Sequence, residues 1–385
     1  KHETDGIELG PEERARYKRH LTLPEIGTNG QKKLKGSSVL CIGSGGLGSP
    51  ILLYLAAAGV GRIGIADFDL VEESNLQRQV IHDMNWLGKS KIASARSRIS
   101  EINPYCQVET FEMELTEDNA LIILEKFDLI CDCTDNFPSR YLINDACLIL
   151  GKPNIYGSIG GFEGQATVFN LDKESPNYRD LLPEPPPPGL LPSCAEGGVL
   201  GVLPGVIGLI QATEAIKIIT GIGTTLSGRL LIFDALKMKF KELTLKKNYN
   251  NSQITSLIKY KDFCSNQKEA QNTDNDFSID SITIEELKII LDKNHEDILL
   301  LDVRTQLEHD IDSIQGSKSV PLQNIENGQA IEFIRKTSAG RKLYVYCETG
   351  QRSKKALLRL RDYQINATNI TGGMHQWTQQ NISES

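Results

Sequence analysis

The first residues whose types and spacing suit chemistry form a glycine-rich turn, Gly43-Ser-Gly45-Gly46-Leu-Gly48, directly after a short apolar run. Glycine lets the backbone approach a phosphate closely, and a helix that begins here adds free N–H groups and a positive dipole. Asp67 follows Gly48 by nineteen residues, at the end of the next predicted strand, where a carboxylate can bind ribose hydroxyls. This pattern suits NAD, FAD or ATP, and a purely structural glycine turn also has it.

Charged and amide side chains follow that second predicted strand and narrow the choice of nucleotide. They are Asp69, Asn75, Gln77, Arg78 and, at the start of the next predicted helix, Lys91. Several cations beside a glycine turn suit a chain of more than two phosphates, because each cation can bind phosphate oxygens. The cluster therefore favours ATP over a dinucleotide, while a solvated basic helix start is the alternative.

Asp135 and Asn136 follow a later apolar strand, in the segment Asp-Leu-Ile-Cys-Asp-Cys-Thr-Asp-Asn. Open α/β sheets bind ligands at the carboxyl ends of their strands. We therefore expect both side chains at the nucleotide site, with Asp135 able to carry Mg²⁺ directly or through water.

A second reactive group, Cys347, ends an apolar strand and is followed by a short polar loop, Arg352 and a helix. Loop N–H groups, the helix N-terminus and the Arg352 charge can all stabilise a sulfur anion or a persulfide. A phosphatase loop is the rival interpretation, but it needs one more residue between the cysteine and the arginine to encircle a phosphate. Asp302 and Arg304 lie upstream, and we expect them to hold the fold together.

The elements that must position these residues alternate strand and helix from about residue 37 to 241. This alternation predicts a parallel sheet with helices on both faces, completed by further strand material in 153–170. A proline-rich loop then leads to Cys194, and a second, smaller α/β unit begins near Phe277. The polar stretch before that unit has the composition of a flexible linker. The predicted domains are 1–247, a linker at 248–276, and 277–385.

Length and composition limit the classes of protein to which the chain can belong. The chain has 385 residues, 39% hydrophobic residues and a net charge of −8, which indicates a soluble globular protein and argues against a nucleic-acid binder. No apolar run is long enough to span a membrane, and the first residues do not form a secretory signal. The eight cysteines are scattered without a CxxC pair, so we expect a reducing compartment, the cytoplasm or plastid stroma.

Several motifs carry a resemblance to known families. RYKRH, GSGGLGS, ADFDLVEESNLQRQ, GKSKIASA and CDCTDNFPSRYLIND are similar to the E1-like adenylating enzymes of the MoeB/ThiF group, over roughly residues 10–247. The Cys347 loop, with LLDVR upstream and GGMHQW downstream, resembles the rhodanese active loop. Together they resemble the molybdopterin-synthase adenylyltransferase/sulfurtransferase type. The resemblance implies an α/β protein, with a Rossmann-like E1 adenylation domain of mostly parallel sheet and a small α/β rhodanese domain.

This resemblance also implies a reaction and partners. A ubiquitin-fold sulfur carrier (MoaD-, ThiS- or Urm1-like) presents its C-terminal glycine carboxylate to ATP, which gives an acyl-adenylate and pyrophosphate. Gly46 would line the nucleotide pocket and Asp67 would bind the ribose. Family members are homodimers in which an arginine of the RYxR segment, here Arg19, reaches into the partner's site; on sequence alone Arg19 could equally be a surface residue. The phosphates would be bound by Asn75, Arg78 and Lys91, with Asp135 acting through Mg²⁺.

One departure from the family concerns zinc. Family members usually carry two CxxC pairs that bind a structural zinc, whereas this chain has Asn177-Tyr-Arg-Asp180 and then only Lys246-Lys-Asn-Tyr-Asn-Asn251. We therefore predict no zinc, because no sulfur ligand set is available.

Cys194 matches a family cysteine implicated in a carrier thioester or in resolving a disulfide, with a plain loop thiol as the alternative.

The resulting hypothesis is a two-step reaction. Cys347, loaded as a persulfide by a cysteine desulfurase or by thiosulfate, attacks the acyl-adenylate, and Cys194 resolves the acyl disulfide to leave a thiocarboxylate. An NAD-dependent oxidoreductase is the alternative that the glycine turn alone allows. A non-catalytic scaffold, with the rhodanese domain as a docking module, is the other. The pathway that the carrier serves stays open.

Overall fold

The computed structural model describes residue 4 and the ranges 6–185, 198–265, 280–293 and 297–383. The chain divides into two compact units, Lys1–Lys268 and Glu269–Ser385. Each unit is an α/β structure with its own sheet, which confirms the predicted fold class.

The described part of the first unit contains an eight-stranded sheet in the order β3-β2-β1-β4-β5-β6-β7-β8. Strands β1 to β5 run parallel, and β6, β7 and β8 continue the sheet as an antiparallel meander. The strand material predicted at 153–170 is β5 and β6. The strands are β1 Ser38–Ile42, β2 Arg62–Ala66, β3 Gln107–Phe111, β4 Leu129–Asp132, β5 Asn154–Gly160, β6 Glu163–Phe169, β7 Arg229–Asp234 and β8 Lys239–Thr244.

Helices cover this sheet, since the central strands β1 and β4 are buried along their whole length and read as continuous apolar runs. The α-helices are α1 Pro11–Arg16, α2 Lys18–Leu21, α3 Gly27–Gly36, α4 Gly48–Ala58, α5 Lys91–Ile102, α6 Ala120–Leu124, α7 Phe137–Leu150, α8 Tyr178–Leu181, α9 Leu203–Thr220 and α10 Tyr260–Ser265. Short 3₁₀ helices span Glu73–Asn75, Met84–Trp86 and Tyr249–Ser252. By length and composition alone α9 could cross a membrane, but 56% of it is buried inside the structure, as in the core helix of a folded domain.

The register of the central strands places their ends side by side. Ile42 of β1 pairs with Ala66 of β2 on one side and with Asp132 of β4 on the other. The chain therefore leaves three neighbouring strands at one edge of the sheet, and the glycine turn begins there.

The structure differs from the flexible-linker prediction over residues 248–265. This segment contains a 3₁₀ helix and α10, and Tyr260 is only 3% exposed. The ring of Phe263 packs against that of Tyr141 on α7, with centroids 5.5 Å apart. Two aromatic anchors thus outweigh the polar composition that suggested a free linker.

The second unit has a parallel five-stranded sheet in the order β11-β10-β12-β13-β9 within its described residues. The strands are β9 Ser281–Ile282, β10 Ile298–Asp302, β11 Lys318–Ser319, β12 Lys342–Tyr346 and β13 Thr368–Ile370. The helices are α11 Ile284–Lys293, α12 Gln306–Ile311, α13 Leu322–Glu326, α14 Ile331–Thr337, α15 Gln351–Asp362 and α16 Gly373–Ser383. The Cys347 loop joins the central strand β12 to α15.

Candidate active sites

A cleft of about 860 Å³ opens at the carboxyl ends of the central strands in the first unit. Its walls include the glycine turn, the loops after β2, β3 and β4, and the start of α7. The structure thus brings together most of the predicted nucleotide-site residues, namely Gly43, Gly45, Gly46, Asp67, Asp69, Arg78, Lys91, Asp135 and Asn136.

The turn between β1 and α4 requires glycine at two positions. Gly43 has a φ of +97°, in the left-handed region that glycine tolerates best. A Cβ atom on Gly48 would lie 2.1 Å from the carbonyl oxygen of Gly43. The backbone therefore turns tightly into α4 and leaves room above Gly45 and Gly46 for a phosphate.

The Asp67 carboxylate is held in place by three hydrogen bonds. Its Oδ2 accepts from the backbone N and the Oγ of Ser44, both at 2.7 Å, and its Oδ1 accepts from the backbone N of Asp69 at 3.0 Å. Carboxylate oxygens have about four acceptor positions, so Asp67 keeps capacity for a ribose hydroxyl. This geometry fits the role that the resemblance implies.

Two predicted cations line the same cleft. Lys91 is buried, and its Nζ lies 2.8 Å from Oδ2 of Asp69, whose side chain is half exposed. Arg78 donates from Nη1 to the carbonyl oxygen of Ser74 at 3.0 Å, and its Cγ lies beside the glycine turn, 3.7 Å from a Cβ built on Gly46. Lys91 and Arg78 are placed to bind phosphate oxygens, and the Asp69 carboxylate is placed to bind a metal ion.

Asp135 and Asn136 have different roles at the start of α7. Asn136 caps the helix, since its Oδ1 accepts from the backbone N of Ser139 at 3.0 Å. The Asp135 side chain is exposed in the cleft, and Asn136 Nδ2 approaches its Oδ1 at 3.5 Å. Asp135 therefore has free oxygen lone pairs of the kind that Mg²⁺ prefers, so the residues present fit the predicted ion.

Several residues of this cleft were not predicted from the sequence. Arg140 donates from Nη2 to the carbonyl oxygen of Thr134 at 3.2 Å and lies near the buried Asp132. Burial raises the pKa of Asp132, and the charge of Arg140 opposes that rise. Gln79 lines the cleft, and its buried Oε1 has no hydrogen-bond partner among the described residues. A sequence signal for Arg140 did exist, because it lies within the motif CDCTDNFPSRYLIND. An arginine is rarely buried unless it has a partner.

Other predicted residues do not line the cleft of their own chain. Asn75 is buried, with its Nδ2 3.4 Å from Oγ of Ser74, and Gln77 is exposed beside Gly201. Arg19 is exposed on α2. Cys194 lies outside the described residues.

Hydrogen bonds connect the two segments at which the resemblance led us to look for zinc-binding cysteine pairs. Oδ2 of Asp180 accepts from the backbone N and the Nδ2 of Asn177, at 2.9 and 3.1 Å. Oδ1 of the same residue accepts from the backbone N of Asn248 and the Nδ2 of Asn251, both at 3.0 Å. These four residues form an asparagine–aspartate clip that joins the two segments. Across the described ranges, no three His, Cys, Asp or Glu side chains cluster as metal ligands would.

The second unit buries Cys347 at the end of β12. The backbone N of Gly350 donates to its Sγ at 3.1 Å, and Ser353 Oγ lies 3.5 Å from the same atom. Gly350 has a φ of +95° and is the N-cap of α15. The loop thus directs an N–H group and a helix N-terminus at the sulfur, as an anionic thiolate or persulfide requires.

Arg352 also forms an ion pair that the sequence did not predict. Its Nη1 and Nη2 donate to the two carboxylate oxygens of Glu308, at 2.9 and 2.7 Å. Burial would raise the pKa of Glu308, but the hydrogen bonds from Arg352 and Thr305 lower it to about 2. Arg352 therefore anchors the loop to α12.

The predicted structural role of Asp302 and Arg304 is confirmed. Arg304 is 2% exposed and donates from Nε to both carboxylate oxygens of the buried Asp302. Its Nη1 also reaches Glu348 at 3.1 Å, directly after Cys347. The buried arginine thus ties the loop to the end of β10.

Comparisons with known proteins find a family match for each of the two units. Residues 17–255 match the ThiF family and residues 283–380 match the rhodanese-like domain. The probable adenylyltransferase/sulfurtransferase MoeZ of Mycobacterium tuberculosis H37Rv is 48% identical, over 97% of this chain and 94% of its own length. The adenylyltransferase and sulfurtransferase MOCS3 of Aedes aegypti is 42% identical, over 96% of this chain and 88% of its own length.

Solved structures show the same fold for the first unit. Escherichia coli MccB crystallised with ATP has a TM-score of 0.55 and 18% identity, over 66% of this chain and 75% of MccB. PaaA has a TM-score of 0.52 and 23% identity, over 62% of this chain and 76% of PaaA. Since it has ThiF and rhodanese-like domains and relatives matched over most of their length, the chain belongs to the ThiF family and is an ATP-using adenylyltransferase with a C-terminal sulfurtransferase domain.

Proposed function

We propose that this enzyme adenylates the C-terminal glycine of a ubiquitin-like sulfur-carrier protein and then converts that carboxylate into a thiocarboxylate. The observation that carries the proposal is the pairing, within one chain, of a cation-lined nucleotide cleft with a cysteine whose sulfur accepts a backbone N–H bond. Activation by ATP and delivery of sulfur are the two reactions that such sites perform.

In the first step a carrier carboxylate oxygen attacks the α-phosphorus of ATP, and pyrophosphate leaves. A carboxylate is already ionised at neutral pH, so the protein needs no general base and contributes by positioning and by neutralising charge. Arg78 and Lys91 are placed to bind phosphate oxygens, and Asp67 to bind the ribose. Asp135 would hold Mg²⁺, which when bound reduces the repulsion between the two anionic reactants.

In the second step Cys347 carries the sulfur as a persulfide. Its thiolate takes the outer sulfur either from a persulfide on a cysteine desulfurase, releasing the donor thiolate, or from thiosulfate, releasing sulfite. The terminal persulfide sulfur then attacks the acyl carbon, the bond to the AMP oxygen breaks, and an acyl disulfide forms. The N–H of Gly350 and the start of α15 support the negative charge on Cys347.

Release of the product requires a second thiol, and we assign this role to Cys194. Its thiolate attacks Sγ of Cys347, the thiocarboxylate leaves, and a disulfide between the two cysteines remains. An external dithiol reductant then restores both thiols. The exposed position of Arg19 on α2 supports its proposed contribution to the partner's site in a homodimer.

The test is a single-turnover assay with carrier, ATP and a sulfur donor. Cys347→Ala should abolish the thiocarboxylate, measured as the mass gain at the carrier C-terminus, while carrier-dependent ATP–pyrophosphate exchange survives. An unchanged yield would refute the role of Cys347. Absence of carrier-dependent exchange in the parent would favour a non-catalytic docking protein instead.

A further inference from the structure

The residues between the two matched family regions contribute to the nucleotide cleft. The ThiF match ends at residue 255 and the rhodanese match begins at 283. Nevertheless, Lys259, Tyr260 and Lys261 line the cleft together with the glycine turn, Arg78 and Lys91. This wall comes from a segment that neither family match includes.

Tyr260 anchors the wall. It is buried, and its hydroxyl donates to Oδ2 of Asp145 on α7 at 2.7 Å. Arg179 holds that carboxylate with bonds from Nε and Nη2 at 2.9 and 2.7 Å. Burial, followed by the charge of Asp145, raises the pKa of Tyr260, so the phenol stays protonated and remains a donor. The backbone on either side of Tyr260 is therefore fixed relative to α7.

The two lysines beside Tyr260 differ in their partners. Lys261 pairs with Glu114 at 2.8 Å, in the same way that Lys91 pairs with Asp69. Lys259 is exposed in the cleft and forms no ion pair with any carboxylate in the ranges that the structure describes. Of the other cleft cations among the described residues, Arg140 lies near the buried Asp132, whereas Arg78 and Lys259 form no ion pair. Their charge is available to an anionic ligand.

We propose that Lys259 binds a phosphate of the nucleotide, as a second unpaired cation alongside Arg78, and that Tyr260 positions it. The inference rests on the proposed function only in requiring that ATP occupies this cleft. An ammonium is a compact donor whose charge-assisted bonds to phosphate are stronger than neutral hydrogen bonds. The inter-domain segment is then part of the nucleotide site.

The test measures binding of a non-hydrolysable ATP analogue with Mg²⁺ to the full chain by calorimetry, without carrier or sulfur donor. Lys259→Gln should weaken binding about tenfold, the loss expected for one charge-assisted bond. Lys259→Arg should restore most of it, and adenosine should bind equally to all variants. Lys241→Gln, which removes the same charge from the exposed strand β8, is the matched control and should bind as the parent does.

Tyr260→Phe tests the positioning role. It removes the bond to Asp145 but keeps the ring, so analogue binding should weaken, and Tyr260→Phe with Lys259→Gln should be no weaker than Lys259→Gln alone. A purely structural Tyr260 would lower the melting temperature and leave binding unchanged, which overturns this part. Equal binding by Lys259→Gln and the parent overturns the assignment of Lys259, as does an equal loss for adenosine. A parent that does not bind the analogue contradicts the nucleotide site itself, so the two failures are distinct.

Discussion

Arg352 and Glu308 form a bidentate ion pair across 44 residues of sequence, with N–O distances of 2.9 and 2.7 Å. Glu308 also accepts from the backbone N and the Oγ1 of Thr305, which completes the capping box of α12. The pair therefore joins the helix that follows the Cys347 loop to the helix that follows β10. The loop is held from both ends, because Arg304 binds Glu348 on its other side.

Removing this pair should loosen the loop. Arg352→Ala leaves the Glu308 carboxylate without its main partner, so we expect the second unit to lose about 2 kcal/mol of unfolding free energy. Sulfur transfer should fall in parallel, because Gly350 would no longer be fixed at the sulfur. Urea unfolding followed by Trp377 fluorescence in a Trp86→Phe background gives the first quantity. Arg359→Ala, which breaks the exposed pair with Asp362, should cost at most about 1 kcal/mol; an equal loss in both variants would contradict the proposed anchor.

The same pair predicts a pH dependence. The pKa of Glu308 is lowered from 4.5 to about 2, so its contribution is fully present above pH 4.5 and is lost as the pH falls towards 2. Between these values the parent's unfolding free energy should fall more steeply than that of Glu308→Gln. The same urea experiment at several pH values measures both slopes. Glu326→Gln removes an exposed carboxylate of α13 and should leave the parent slope unchanged.

Site residues that belong to short sequence patterns could be predicted, whereas contacts between residues far apart in the sequence could not. The glycine turn, Asp67 and Asp135 could be predicted, because strand ends and turn residues are short-range patterns that the parallel register brings to one edge. The pairing of Arg352 with Glu308 could not, since two ions so far apart in sequence give no local signal. Lys259 was missed for a related reason. Polar neighbours indicated a linker, whereas two aromatic anchors, Tyr260 and Phe263, decide its position.

The asparagine–aspartate clip should make the first unit independent of zinc. We expect less than stoichiometric zinc in elemental analysis and no change of melting temperature with a chelator. Asp180→Ala should be destabilising, because it removes the carboxylate acceptor that joins Asn177 to Asn248 and Asn251. Asn250→Ala, an exposed neighbour, is the matched control and should melt as the parent does. Stoichiometric zinc that a chelator removes with loss of stability would show that the clip does not replace the metal.

Lys91 should matter for adenylation far more than its neighbour Lys89. Lys91 is buried beside Asp69 in the cleft, whereas Lys89 is exposed and donates to the carbonyl oxygen of Asn85. An ammonium fixed in a partly dehydrated site stabilises developing charge without reorganisation, and losing such a group typically costs about 10²–10³ in rate. Lys91→Ala should therefore lower carrier-dependent pyrophosphate exchange by about that factor, while Lys89→Ala stays near the parent rate. Lys91→Ala also leaves the Asp69 carboxylate unpaired beside the phosphates. The double variant Lys91→Ala, Asp69→Asn should therefore recover part of the lost exchange rate. Equal rates for the two lysine variants would mean that the buried pair does not act on the phosphates.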